Sequence, residues 1–179
     1  MAIVGSDASE TATGVFHDGP IAMETRRHVS IDNHISWMEP DVGMRLQVEA
    51  LRAKYPRAYH RQVGPCMTYN CHGLTFASRR TGIPRSSEVQ KILAHDGYKL
   101  VRQDEAEPGD VVIYRMPLSE GGEIHHSGIV VRRAQSGQSV ILPDPLVLSK
   151  WGHCHEVVHD ARYCDYAENA TIEYFRMTR

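Results

Sequence analysis

Residues 69–80 read Y-N-C-H-G-L-T-F-A-S-R-R, and they place Cys71 directly after Asn70. Asparagine is a favoured helix N-cap, and no proline interrupts residues 71–80. Apolar side chains recur there at helical spacing, which predicts a helix over this range with Cys71 in its first turn. The free N–H groups and the positive dipole end of a helix stabilise a thiolate, the form of cysteine that attacks carbonyl carbons. The stretch therefore predicts a nucleophilic cysteine around which the domain is organised.

Length and charge bound the class of protein. The chain has 179 residues, the size of one domain, and carries 20 Lys+Arg against 22 Asp+Glu. This near-neutral balance gives no electrostatic reason to expect nucleic acid or an anionic membrane as a partner. The first residues show no basic segment followed by an apolar one, so no signal peptide is predicted. The expected location is the cytoplasm, or outside the cell after export by a signal-independent route.

The pattern of apolar residues predicts an irregular N-terminal arm over 1–40, with a short strand at 29–37, and a single domain over 41–179. Within the domain, helices are predicted at 44–55, 71–80 and 86–95. The predicted strands are 98–102, 111–115, 124–133, 140–142, 146–148 and 171–176. Helices first and strands afterwards predict an α+β domain with its helices on one side of a small antiparallel sheet.

A cysteine nucleophile needs a base within hydrogen-bond reach, and the best-placed candidate is His126. This residue begins the β-prone run H-S-G-I-V-V over 126–131, so a sheet can hold its side chain in place. The small Ser127 and Gly128 that follow allow another element to pack closely against the strand. The sequence therefore predicts that Cys71 and His126 act as a pair.

Three motifs occur in a set order: N-C-H-G-L at 70–74, P-G-D-V-V at 108–112 and H-S-G-I-V-V at 126–131. They resemble the motifs D-C-S-G-L, P-G-D-L-V and H-V-G-I-Y-V of the NlpC/P60 group of papain-like cysteine peptidases and amidases. The similarity extends over about residues 59–150 and leaves the N-terminal arm outside it. It implies a papain-like fold, in which N-terminal helices pack on a small antiparallel sheet.

The resemblance also implies an activity and the residues behind it. Cys71 would attack an amide carbonyl and form an acyl-enzyme, with His126 as the general base that later protonates the leaving amine. The backbone N–H of Cys71 and the side chain of Tyr59 would bind the oxyanion. The implied substrate is a peptide or isopeptide, most commonly a cell-wall peptide containing D-amino acids, and no cofactor is expected. Deamidases and acyltransferases share this nucleophile, so the step that resolves the acyl-enzyme stays open.

Two residues compete for the third catalytic position, which orients the histidine. If Gly137 and Gln138 form a two-residue hairpin loop, antiparallel pairing sets Ser149 opposite His126. Asp144 is the stronger orienting group chemically, but it lies between two prolines. Both are candidates, Ser149 for its position and Asp144 for its chemistry.

A rival motif, H-E-V-V-H at 155–159, matches the zinc-binding signature H-E-x-x-H of many metallopeptidases. In that alternative His155 and His159 bind the metal and Glu156 is the general base, which requires a helix and a third ligand further along. The β-branched residues around the motif favour a strand instead. A third alternative is a non-catalytic binding domain on the same fold, in which Cys71 is an ordinary buried thiol.

Overall fold

The computed structural model describes residues 19–62, 64–133 and 144–178, which form three helices and one antiparallel sheet of seven strands. The helices are α1 (Val42–Lys54), α2 (Cys71–Phe76) and α3 (Ser86–His95). The strands are β1 (Tyr59–His60), β2 (Tyr98–Val101), β3 (Val111–Arg115), β4 (Ile124–Arg132), β5 (Leu146–Lys150), β6 (Glu156–Asp160) and β7 (Thr171–Met177). The predicted α+β class is confirmed. None of the helices in the described ranges is long and apolar enough to cross a bilayer.

Local signals account for the two longer helices. Asp41 caps α1 by accepting a hydrogen bond from the backbone N–H of Met44 at 2.8 Å. α3 occupies the range predicted for it, and Gly97, with a left-handed φ of 80°, follows its C-cap. Both helices are therefore determined by caps and spacing that can be read from neighbouring residues.

The sheet runs in the order β1-β6-β5-β4-β3-β7-β2, so β4 lies at its centre between β3 and β5. The register of β4 with β5 sets Gly128, not His126, opposite Ser149. The predicted pairing is therefore wrong, because the register of a hairpin follows from its loop length, which turn residues alone do not determine. The loop assumed at 137–138 and the strand predicted at 140–142 lie outside the described residues.

Each face of the sheet carries its own hydrophobic core. α2 and α3 cover one face, where Ile83, Val89 and Ile113 are fully buried. The end of α1 belongs to the other core, since Tyr55 packs edge-on against Trp151 with ring centroids 5.0 Å apart. The predicted placement of all helices on one side is therefore wrong. The physical reason is the C-cap residue of α1, Tyr55, which is buried among the aromatic residues of the second core.

Residues 19–40 of the predicted N-terminal arm form no helix or strand. Isolated bridges stand in place of the strand predicted at 29–37. Ile31 is 2 % exposed and packs with residues of α3, and the side chain of Asn33 is buried and hydrogen-bonded to backbone groups. This segment is an irregular strap packed on the domain.

Candidate functional site

Asn70 positions the start of α2 with its side-chain amide. Its Oδ1 accepts hydrogen bonds from the backbone N–H groups of Gly73 (2.9 Å) and Ile83 (3.1 Å), and its Nδ2 donates to the carbonyl of Ile83 (2.8 Å). The predicted N-cap is confirmed, and it also ties α2 to the segment that leads into α3. Cys71 is consequently the first residue of the helix and is 8 % exposed.

α2 ends at Phe76, four residues before the predicted end at Arg80. Ser78 and Arg79 have φ values of 50° and 68°, which lie in the left-handed region and stop a helix. The chain then folds back along its own helix, so that the backbone at position 81 lies against Gly73. The glycine of the N-C-H-G-L motif is therefore required by a close approach of two backbone segments.

Replacing Gly73 by alanine is expected to lower the free energy of unfolding by about 3 kcal/mol, measured by chemical denaturation. A Cβ atom there would lie 1.8 Å from the carbonyl oxygen of Thr81, so one of the two segments has to move. Gly19→Ala is the matched control, because a Cβ at that position meets nothing within 4 Å. Unchanged stability of the Gly73→Ala protein would contradict the close approach.

The sulfur of Cys71 lies beside the backbone of β4. Burial raises the pKa of the Cys71 thiol to about 11, against hydrogen bonds from the backbone N–H groups of Ser127, His72 and Cys71 itself. N–H groups of a strand point within the plane of the sheet, and the pairing of β4 with β5 begins only at Gly128. The sulfur therefore lies next to the strand at the residue after His126, and it is a neutral thiol near pH 7.

His126 is 1 % exposed and stacks face to face on Tyr166, with ring centroids 3.6 Å apart and planes inclined by 2°. Burial lowers the pKa of His126 well below its usual value, and nearby histidines lower it further. Neither ring nitrogen has a hydrogen-bond partner among the described residues, so no hydrogen bond joins His126 to Cys71. Tyr166 gave no signal in the sequence, because it lies in a single turn of 3-10 helix 40 residues after His126.

Side-chain alternation along β4 puts Ser127, not His126, beneath α2. His126 pairs with Tyr114 and shares its face of the sheet, whereas Ser127 pairs with Ile113 on the face that α2 covers. Gly128 lies on the same face as His126, and a Cβ there would meet Val147 Cγ1 at 2.6 Å. The predicted close packing at Gly128 is therefore made by β5 and not by a helix.

A series of hydrogen bonds with a defined direction joins α2 to β4, and this series could not be predicted from the sequence. Thr75 Oγ1 donates to the carbonyl of Cys71 (2.9 Å), and Ser127 Oγ donates to Thr75 Oγ1 (3.0 Å). His72 Nδ1 must then donate to Ser127 Oγ (2.8 Å), since that hydroxyl has already used its proton. Burial lowers the pKa of His72 to about 4, so this imidazole is neutral. These hydrogen bonds hold the first turn of α2, and with it Cys71, against the strand.

Neither candidate for the third catalytic position contacts His126. The hydroxyl of the buried Ser149 binds His159 Nε2 (2.8 Å) and accepts from Trp151 Nε1 (3.1 Å). Asp144 lies at the opposite end of β5, where it accepts from Gln103 Nε2 (2.9 Å) and pairs with Arg162 at 3.4 Å. Both side chains therefore have other partners in this structure.

The two groups predicted to bind the oxyanion are far apart. Tyr59 lies on the edge strand β1, which β6 and β5 separate from β4, and it is 67 % exposed. Three strand spacings amount to about 14 Å, so its side chain is remote from the sulfur of Cys71. The backbone N–H of Cys71, by contrast, is in the same residue as that sulfur, at the first position of α2. The tyrosine preceding the helix, Tyr69, is also engaged elsewhere, because its hydroxyl donates to Glu156 at 2.7 Å.

The H-E-x-x-H residues lie on and beside β6, which is a strand. Residues four apart on a strand are separated by about 13 Å, so His155 and His159 cannot bind one metal ion together. Glu156 points to the opposite face from both histidines. Within the described residues, no group of three or more His, Cys, Asp or Glu side chains is arranged to hold a metal ion. This segment therefore lacks the geometry of a zinc-peptidase site.

Glu156 instead connects three parts of the chain near Cys71. Its carboxylate is fully buried and accepts hydrogen bonds from Tyr69 Oη (2.7 Å), Arg79 Nε (2.5 Å) and Arg61 Nη1 (2.5 Å). Tyr69 precedes α2 and Arg79 follows it, so both ends of the helix are held by one carboxylate. The hydrogen bonds of Arg79 and Tyr69 outweigh burial, and the pKa of Glu156 is lowered.

The fold and this geometry define an α+β protein in which a buried cysteine lies beside the backbone of a central strand, and that strand carries a buried histidine on the face that α2 does not cover. No family model matches the chain, and no curated protein or solved structure matches it either. A papain-like assignment therefore depends on the three sequence motifs and on the surroundings of Cys71.

Proposed function

We propose that this protein is a papain-like thiol hydrolase that cleaves an amide bond through an acyl-enzyme on Cys71. The observation that carries the proposal is the position of the Cys71 sulfur, which is close enough to the backbone N–H of Ser127, the residue after His126, for that group to lower the pKa of the thiol. The thiol therefore lies beside β4 next to the position of His126, whose side chain is on the face of the sheet that α2 does not cover. The substrate is a peptide or isopeptide, and cell-wall peptides are the first class to test.

In the proposed reaction the proton leaves Cys71 only as the sulfur attacks. Both groups are neutral at rest, since burial raises the pKa of the Cys71 thiol and lowers that of the His126 imidazole. A free ring nitrogen of His126 accepts the thiol proton while the C–S bond forms, and it then protonates the departing amine. Water hydrolyses the thioester and restores the thiol. The step requires the His126 ring, which stacks on Tyr166 on the face that α2 does not cover, to come within hydrogen-bond reach of the sulfur when substrate binds.

A non-catalytic binding domain is the competing function. It is favoured by the burial of Cys71 and by the absence of a hydrogen bond between its sulfur and His126 within the described chain. In that case the thiol reacts only as the small fraction of thiolate allowed by a pKa of about 11. The two functions therefore differ in how the reactivity of Cys71 depends on pH.

Acylation of Cys71 by p-nitrophenyl acetate, followed by peptide mass mapping, separates them. With His126 as base, the rate is expected to change less than about twofold between pH 6.5 and 8.5, since the neutral pair persists throughout. For an unassisted thiol, the acylation rate is expected to rise about tenfold for each unit of increase in pH. The measurement is made in a protein that carries Cys66→Ala, because Cys66 is the only one of the four free thiols that is not buried. His126→Gln is expected to convert the level profile into the rising one, and a rising profile with His126 present would contradict the proposal.

A further inference from the structure

A cavity of about 360 Å³ lies between α1 and the segment around Pro65. Its walls include the apolar side chains of Leu46, Val48 and Pro65, and Arg52 and His155 supply polar groups. The volume is within the range of sites that bind small molecules. None of these residues belongs to the proposed Cys71 site, so this cavity is independent of the proposed hydrolase reaction.

The protonation of His155 follows from its neighbour His60. His60 Nε2 lies 3.0 Å from the carbonyl oxygen of Tyr55, which can only accept, so this nitrogen carries a proton. His60 Nδ1 lies 2.7 Å from His155 Nε2, and the rings are inclined by 23° with centroids 5.0 Å apart, an edge-to-edge arrangement. In the neutral pair His60 Nδ1 holds a lone pair, and His155 Nε2 must donate to it.

The Nδ1 of His155 is therefore unprotonated. Burial lowers the pKa of His155 to about 4, and the positive charge of Arg52 lowers it further, so the ring is neutral. The residue is 1 % exposed, and its Nδ1 has no hydrogen-bond partner among the described residues. A buried acceptor without a donor is costly, and such a group in a cavity indicates a ligand that supplies the donor.

Arg52 supplies the complementary group. Its Nε is also buried and has no hydrogen-bond partner in the described chain, while its Nη1 donates to Glu49 at 3.2 Å. The guanidinium is near enough to His155 to lower the pKa of that ring. The cavity thus offers one acceptor, one N–H donor and an apolar wall.

A neutral carboxamide matches this pair, since its N–H can donate to His155 Nδ1 while its carbonyl accepts from Arg52 Nε. A carboxylate would set a lone pair against Nδ1, and a tertiary amide has no N–H to donate. We propose that this cavity is a binding site for a carboxamide attached to an apolar group, held by His155 and Arg52. The carboxamide belongs either to a free small molecule or to a glutamine side chain of a peptide.

Binding of benzamide to the full chain, followed by NMR titration, tests the site. Benzamide is expected to bind at least about tenfold more tightly than benzoate or N,N-dimethylbenzamide, each of which loses the hydrogen bond to His155. A two-bond ¹H–¹⁵N correlation spectrum is expected to show the Nε2–H tautomer of His155. Acetyl-glutamine methylamide is compared with benzamide, and the tighter of the two identifies the source of the carboxamide.

Arg52→Met is expected to weaken benzamide binding at least about fivefold, because the donor is lost while the apolar part of the side chain is kept as far as the position of Nε. Arg45→Met, on the same helix and also at the cavity, is the matched control and is expected to leave the affinity within about twofold. Three results would each overturn the site: an Nδ1–H tautomer of His155, equal binding of benzoate and benzamide, or no saturable binding of benzamide or the glutamine compound.

Discussion

Replacing Cys71 by alanine is expected to reduce amide hydrolysis by at least about 10³-fold, because no other group can form the acyl-enzyme. The measurement is product formation, followed by mass spectrometry, from a panel of peptides and isopeptides that includes cell-wall peptides with D-amino acids. Cys71→Ser is expected to be similarly inactive. A hydroxyl is a much weaker acid than a thiol, and His126, whose pKa is lowered by burial, is a weak base.

Cys154→Ala is the matched control, since Cys154 is also a free thiol and is 1 % exposed. The control variant is expected to retain activity, and both proteins are expected to give the same far-UV circular dichroism spectrum. Equal loss of activity in the two variants would indicate a structural effect of removing any buried thiol. Full activity in Cys71→Ala would end the thiol-hydrolase proposal.

Replacing Glu156 by alanine is expected to lower the free energy of unfolding by about 3 kcal/mol, measured by urea denaturation. The carboxylate is fully buried, and its removal leaves Tyr69 and two arginines without their acceptor. The value is at the low end for a broken buried ion pair, because the side chains of Arg61 and Arg79 are 37 % and 43 % exposed and regain some hydration. Since Tyr69 and Arg79 flank α2, the variant is also expected to change the reactivity of Cys71.

Asp104→Ala is the matched control, because Asp104 pairs with Arg102 on the surface and exposed ion pairs contribute little. The pH dependence gives a second test of Glu156. A carboxylate whose pKa is lowered on folding stabilises the protein above its ordinary value of 4.5, and that contribution is lost as the pH falls through the lowered pKa. The stability difference between wild type and Glu156→Ala is therefore expected to shrink on acidification. A difference that does not change with pH would contradict the charge pairing.

The order of helices and strands could be predicted because it depends on neighbouring residues. The spacing of Met44, Val48 and Tyr55 and the cap Asp41 define α1, and the β-prone runs of β3 and β4 are strands as predicted. β6 was not predicted as an element, although the β-branched residues of the H-E-V-V-H segment favoured a strand. Apolar residues recur about every 3.6 residues in a helix and every 2 residues in a strand. These patterns are local, so they can be recognised in the sequence without knowledge of the fold.

The candidate site could be predicted only in part. The sequence identified Cys71 at the start of a helix and His126 on a strand, and both elements form where expected. It did not identify the face of β4 that α2 covers, because alternation shows which residues share a face but not which face a helix packs on. Ser127, His72 and Tyr166 thus enter the site through contacts between distant elements.

The sequence by itself determined the α+β class, the N-cap at Asn70 and the presence of a cysteine in the first turn of α2. Only the tertiary structure decided that α2 is short, that the H-E-x-x-H segment is a strand whose glutamate holds both ends of that helix, and that Ser149 faces Gly128. It also decided the charge state of Cys71, because a pKa depends on burial and on donors from other elements. Caps and periodicity act over a few residues, whereas register, burial and hydrogen-bond partners are set by segments far apart in the chain.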